Sequence, residues 1–195
     1  MNINYCELKT EIKVSIKNII INALKKYKAG KVCGFAICSD RNAMSVSVSF
    51  NTKQNLYKKI EENPEKENDF RFIEEHWDYY ETSSRFKKSI GAYELSEISA
   101  KLYTMRFKIG DKKLDEHKKN MFQIFLEILE EIKNEQVFGG EKDIILLFCI
   151  IDDFIFPENT IECVKKINST IIGEQYEKWA NEPHEMEWDN CDEDE

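Results

Sequence analysis

Between Tyr5 and Lys28 the apolar residues return every three or four positions. Leu8, Ile12, Ile16, Ile19, Ile20, Ala23, Leu24 and Tyr27 form one stripe, and Lys9, Lys13 and Lys17 fall outside it. That period is the signature of a helix with one buried face, and Gly30 is placed to stop it. The pattern then changes. Val32–Cys38 is apolar on both faces, whereas Met44, Val46, Val48 and Phe50 alternate with Ser45, Ser47 and Ser49. This predicts two strands folded back at Asp40-Arg41-Asn42. The first is a central strand, and the second is an edge or thinly covered strand whose serines face outward.

Helical periodicity resumes after the hairpin. Thr52 is a cap for a short helix through Ile60, closed by Asn63-Pro64. Phe70, Ile73, Trp77 and Tyr80 share one face of a helix expected over 70–80, with Glu74, Asp78 and Glu81 on another. A helix from about Ser84 carries Phe86, Ile90, Tyr93, Ile98 and Leu102. A longer one at 114–135 buries Met121, Phe122, Phe125, Leu129 and Ile132, and Phe138-Gly139-Gly140 is a turn. Ile144–Ile151 is too short and too evenly apolar for a surface helix and reads as a strand buried on both faces. Pro157 opens a helix to about Ile167, and a last helix holds Tyr176 and Trp179. The expected fold class is α+β: a small, mainly antiparallel sheet, made of the hairpin 32–50 and the buried strand 144–151, covered by about six helices. No internal repeat or linker divides it. Residues 1–181 read as one globular domain, long enough at 195 residues in all to bury roughly 70% of its unfolded surface.

Charge alters this picture at one end. The formal net charge is −9, and residues 182–195 hold eight acids with no Lys or Arg, so the body is close to neutral. The acidic run reads as a disordered tail, with an interaction tail for a basic partner as the alternative. Lys25, Lys26, Lys28 and Lys31 suit the C-terminal end of a helix, and no face carries an excess of cations, so direct nucleic-acid binding is not expected. The longest apolar run falls far short of the ~20 residues that span a bilayer. With no signal-peptide pattern at the start, the expectation is a cytoplasmic protein with no membrane contact. The six cysteines include no C-x-x-C pair. Cys33 and Cys38 are an odd number of positions apart and should face opposite sides of their strand. Together with Cys149 and Cys163 they read as reduced, structural thiols, and no metal or cofactor is expected.

The search for chemistry leaves two candidate groups. No glycine-rich phosphate loop or G-x-S-x-G elbow is present. Of the three histidines, His184 lies in the acidic run, and His117 stands beside Asp115, Glu116 and Lys118. Both read as solvated. His76 and Trp77 sit in Glu74-Glu-His-Trp-Asp-Tyr-Tyr-Glu81, where His76 and Tyr80 would be i,i+4 neighbours, a pairing that a core margin explains without catalysis. The second group is Asp40, Asp152 and Asp153, at the ends of two strands. If those strands are adjacent and parallel, the acids gather at one sheet edge, where open α/β sheets bind ligands and carboxylates hold divalent cations. If the strands are antiparallel, the acids lie apart. Asp at a strand end also serves as a turn residue, and that plainer reading carries more weight.

Several blocks together resemble a bacterial family, domain of unknown function 4303. They are Gly34-Phe-Ala-Ile-Cys-Ser-Asp40, Ala43–Thr52, Glu75-His-Trp-Asp78, Gln136-Val-Phe-Gly139, Ile145–Ile151 with Asp152-Asp153, and the helix closing at Ile167-Asn168. The resemblance spans residues 5–181 and leaves the acidic run out. It brings no catalytic residue. Its implication is contextual: families of this kind are often encoded beside secreted bacterial toxins, and some look like their immunity proteins. The leading expectation is therefore a non-enzymatic binding protein, such as an immunity-type inhibitor of a protein toxin. The alternatives are a small enzyme or metal-binding protein using the carboxylates at the sheet edge, and an oligomeric module pairing through the serine-faced strand. The oligomeric state is not readable from the sequence.

Overall fold

The apolar stripe near the start of the chain becomes helix α1, Tyr5–Tyr27, with Leu8, Ile12, Ile16, Ile19, Ile20 and Ala23 buried. The computed structural model describes residues 3–27, 31–78, 93–140, 143–151 and 160–182. After α1 come β1 (Val32–Asp40), β2 (Ser47–Thr52), α2 (Lys53–Glu62) and α3 (Glu67–Phe72), then α4 (Tyr93–Ile109) and α5 (Leu114–Asn134). The last elements are β3 (Ile145–Ile151), α6 (Thr160–Ile167) and α7 (Thr170–Ala180). The described residues thus form an α+β fold with seven α-helices and three strands. Of the residues expected to be helical from about Ser84, those before Tyr93 fall outside the described set.

The strand order is β2-β1-β3. β1 pairs antiparallel with β2, with Phe35 opposite Phe50 and Ile37 opposite Val48. It pairs in parallel with β3, from Gly34 opposite Ile145 to Asp40 opposite Ile151. The sheet is therefore mixed rather than mainly antiparallel. Four described α-helices lie between β2 and β3, and so long a connection lets the chain re-enter beside β1 in the same direction. The positive-φ residues Gln136, Gly139 and Gly140 turn the chain out of α5 toward β3.

Both faces of the sheet are covered. Phe35, Ile37, Val48, Phe50, Leu146 and Phe148 join the core built with α1, α4 and α5. α1 and α5 are further tied by a ladder in which Lys9 meets Glu127 and Glu131, Lys13 meets Glu131 and Glu135, and Lys17 meets Glu135. The opposite face, with Ala36, Cys38, Ile145 and Leu147, packs against Phe72, Trp77, Val164, Ile172, Tyr176 and Trp179. The indole N–H of Trp179 donates to Asp69 Oδ1 at 2.8 Å, tying α7 to α3.

That second layer corrects the reading of the serines. Ser47, Ser49 and Asn51 are all buried. Ser47 Oγ donates to the Cys38 carbonyl at 3.4 Å and Asn51 Nδ2 to the Phe70 carbonyl at 3.3 Å. Alternation with polar residues ordinarily marks a solvated face. Here the short side chains leave room for large aromatic rings above them, and hydrogen bonds replace water. Gly34 serves the same layer, because a Cβ there would stand 3.0 Å from the Trp77 ring.

The bulge between Val32 and Gly34 also undoes the simple parity argument for Cys33. Val32 and Phe35 enter one core despite their odd spacing, and Cys33 goes to a small cluster with Leu56 and Phe70. The helix expected over 70–80 is interrupted as well. Ile73 is extended (φ −101°, ψ 111°) and separates α3 from a single 3₁₀ turn at Glu74–His76. Phe70 and Phe72 anchor in different clusters, so tertiary packing overrides the helical period. The outer edge of β3 is met by one side chain at Leu146. Asn168 accepts from Leu146 N at 2.7 Å and donates to Leu146 O at 2.8 Å, acting as a one-residue substitute for a neighbouring strand.

Candidate functional site

The parallel pairing of β1 and β3 meets the condition on which the carboxylate site depended. Asp40 stands level with Ile151, the last residue of β3, while Asp152 and Asp153 lie outside the described residues. Asp40 itself is engaged in its own loop. Its Oδ1 accepts from Asn42 N at 2.8 Å, its Oδ2 from Met44 N at 3.0 Å, and its carbonyl from Ala43 N at 2.9 Å. These bonds hold Ala43 at φ 55°, a left-handed conformation uncommon for a residue with a Cβ.

The same loop explains His117, which is not solvated as its charged neighbours suggest but 1% exposed. Its Nδ1 is 3.0 Å from the Tyr5 hydroxyl and its Nε2 is 3.3 Å from the Ala43 carbonyl. A carbonyl only accepts, so Nε2 carries the proton and Nδ1 accepts from Tyr5, the neutral tautomer. Burial lowers the His117 pKa, against the raising effects of the Ala43 carbonyl and Asp40. The imidazole locks α1, α5 and the hairpin loop together.

His76 is half-buried on its 3₁₀ turn, edge-on to Phe70 with 5.4 Å between ring centroids. Burial lowers its pKa, and Lys59 adds to this. Tyr80, its expected partner, lies outside the described residues. Trp77 is 4% exposed and packs over Gly34, and its indole N–H has no hydrogen-bond partner among the described residues. A buried donor left unpaired costs about 1–3 kcal/mol. Neither residue joins Asp40.

What the fold does bring together was not foreseen. Cys38 of β1 is level with Cys149 of β3, and the turn that ends at His76 places the Glu74 carboxylate beside them. Sγ of both cysteines and one carboxylate oxygen all lie within 4.8 Å of one another. Cys38 is buried, while Glu74 and Cys149 keep partial exposure. Hydrogen bonding to Cys38 first, then burial and Glu74, hold the Cys149 thiol well above the ordinary thiol range. Burial raises the Glu74 carboxyl, with a hydrogen bond from Cys149 opposing it. The Tyr176 phenol is pushed up by burial and by Cys149 and Glu74. Cys33, pushed up to about 12 by burial against the opposing charges of Lys53 and Arg71, packs with Leu56 and Phe70.

The available signal was that each apolar strand carries a cysteine near its acidic end. It became legible only with the parallel register. Glu74 was hidden by the helical reading of 70–80, which put it on an outer face.

One family model, described as a domain of unknown function (DUF4303), matches residues 12–169. The chain belongs to that family. The DUF4303 match takes in both strand pairings and the Cys38–Glu74–Cys149 cluster, and it stops short of the acidic run. No curated protein and no solved structure matches the chain. Among the described residues, no helix is long and apolar enough to cross a membrane.

Proposed function

We propose that this DUF4303 domain is a non-enzymatic binding protein that engages a basic protein partner, in the manner of an immunity protein that inhibits a toxin. The observation that carries this reading is an open groove between α1 and α4. Val14, 53% exposed, stands in it over the buried Ile98, and Glu7, Glu11 and Glu97 stand around it. Lys101, the cation among these residues, is paired with Glu11. One exposed apolar residue ringed by acids suits a partner that presents basic residues around an apolar contact. The acids at 182–195 add a longer-range field of the same sign, which raises the rate of encounter more than the final affinity.

The test is co-expression with the protein encoded by the adjacent gene. The reading expects protection from that protein's toxicity and a complex that survives size-exclusion chromatography. Paired Glu11→Lys and Glu97→Lys changes should abolish both, and removing 182–195 should slow association and flatten its salt dependence. Absence of both protection and complex sinks the reading.

A second reading, a small-ligand or enzymatic site at the C-terminal edge of β1 and β3, draws support from their parallel pairing. Asp40→Asn together with Asp152→Asn and Asp153→Asn tests it. Unchanged Mg2+ or Ca2+ affinity removes the carboxylate-metal version.

A further inference from the structure

We infer that Cys38, Cys149 and Glu74 form a binding site for a soft divalent metal ion, Zn2+ above all. The argument begins with geometry. Two thiols and a carboxylate from three separate segments converge with all their donor atoms within 4.8 Å. A tetrahedral ion with Zn–S near 2.3 Å and Zn–O near 2.0–2.2 Å sets its donor atoms about 3.5–3.8 Å apart, a separation these side chains reach by a small inward adjustment. The set is held by backbone rather than by flexible side chains. Cys38 and Cys149 are level on adjacent parallel strands in the middle of the fold, and Glu74 opens a 3₁₀ turn fixed by the bonds from His76 N to Ile73 O and from Trp77 N to Glu74 O.

Donor chemistry chooses the ion. Thiolate sulfur selects Zn2+ and Cu(I) over Mg2+ or Ca2+, and a carboxylate as third donor favours the divalent ion. Binding requires each ligand to give up its proton, so Cys38 and Cys149 enter as thiolates and Glu74 as carboxylate, the protons leaving to solvent. The divalent ion then offsets most of the charge created in an otherwise aromatic layer. Three protein ligands leave a fourth tetrahedral position for water. The partial exposure of Glu74 and Cys149 provides a way in.

The site is distinct from the α1–α4 groove and does not depend on the binding reading. Its test uses the full reduced chain, stripped of metal and titrated with Co2+ alone. Sulfur-to-cobalt charge-transfer absorption should saturate at one equivalent and vanish when Zn2+ displaces the cobalt. Cys38→Ser and Cys149→Ser should each abolish it. Glu74→Gln should weaken binding at least tenfold, and Cys163→Ser should leave it unchanged. Because Cys38 is in the core, X-ray absorption of the unmutated chain loaded with Zn2+ decides independently of folding. Two sulfur scatterers near 2.3 Å support the site, and a shell of nitrogen and oxygen alone overturns it. A Cys38–Cys149 disulfide in the freshly isolated chain, read by mass spectrometry without reduction, also overturns it.

Discussion

The two faces of the sheet are built from different materials. Toward α1, α4 and α5, β1 and its neighbours present Phe35, Ile37, Val48, Phe50, Leu146 and Phe148, and the rings of Phe35 and Phe50 meet at a tilt of 57° with centroids 5.0 Å apart. Toward α3, α6 and α7 the same strands present serines, an asparagine and two cysteines, roofed by Phe72, Trp77, Tyr176 and Trp179. One face buries carbon against carbon. The other buries thiols, a carboxyl and an indole N–H, each of which costs free energy unless it is partnered. The contrast teaches that the first face holds the fold, while the second accommodates polar chemistry at the expense of stability.

The sharpest way to break the comparison is to damage each face in turn. Phe35→Ala empties a fully buried position on the carbon face and should cost about 3–5 kcal/mol in urea or thermal unfolding. Gly34→Ala presses a methyl against the Trp77 ring on the other face, where the neighbour is bulky but not backbone. A loss of about 1–3 kcal/mol is expected there. If Gly34→Ala costs more than Phe35→Ala, the assignment of stability to the carbon face is wrong.

Acid and alkali should separate the two sides further. His117, on the α1–α5 side, has a lowered folded pKa. The unfolded chain therefore binds more protons below about pH 6.5, and stability falls as pH drops from there toward the folded value. His117→Gln should flatten that acid limb in unfolding curves. Glu74 on the other face has a raised folded pKa. The folded chain holds the proton longer, so stability falls as pH rises from the usual carboxylate value toward the raised one. With a chelator present, Glu74→Gln should remove that loss and gain stability at neutral pH. Equal slopes in the parent chain and Glu74→Gln would show that the carboxyl pays no burial cost. The smallest effect is expected outside both layers. Lys13→Ala cuts the α1–α5 ladder at a solvent-facing position and should cost about 0–1 kcal/mol, shrinking in high salt.

Much of the carbon face was legible from sequence because its residues repeat with regular periods. The stripe from Leu8 to Tyr27 and the alternation Val46-Val48-Phe50 each map onto one core. The cap at Thr52 is also where its sequence put it, with its Oγ1 accepting from Asn55 N. The second face was misread for a physical reason. A polar residue in a strand carries the same letter whether water or an aromatic layer lies above it, and only the placement of α3, α6 and α7 decides. His117 shows the same failure, since its charged neighbours along α5 point to solvent while the ring turns inward to Tyr5 and Ala43. Strand direction was open because a hairpin fixes only its own pair. The register that makes Cys38 and Cys149 neighbours depends on a connection with no local signature. Of the expected site residues, Asp40, His76 and Trp77 are present but apart.

The parallel pairing of β1 with β3 also imposes an order of assembly. The β1–β2 hairpin closes through a short loop, at little entropic cost, and all of its residues precede position 53. Until β3 is synthesised, the other side of β1 is a row of unmet amides and carbonyls along an apolar strand, open to any extended segment nearby. β3 in turn has its outer side capped at Leu146 by Asn168, which arrives later still. The strand at the centre of the mature sheet thus waits longest for its second partner, and a chain truncated before Ile145 is expected to aggregate more readily than the full chain.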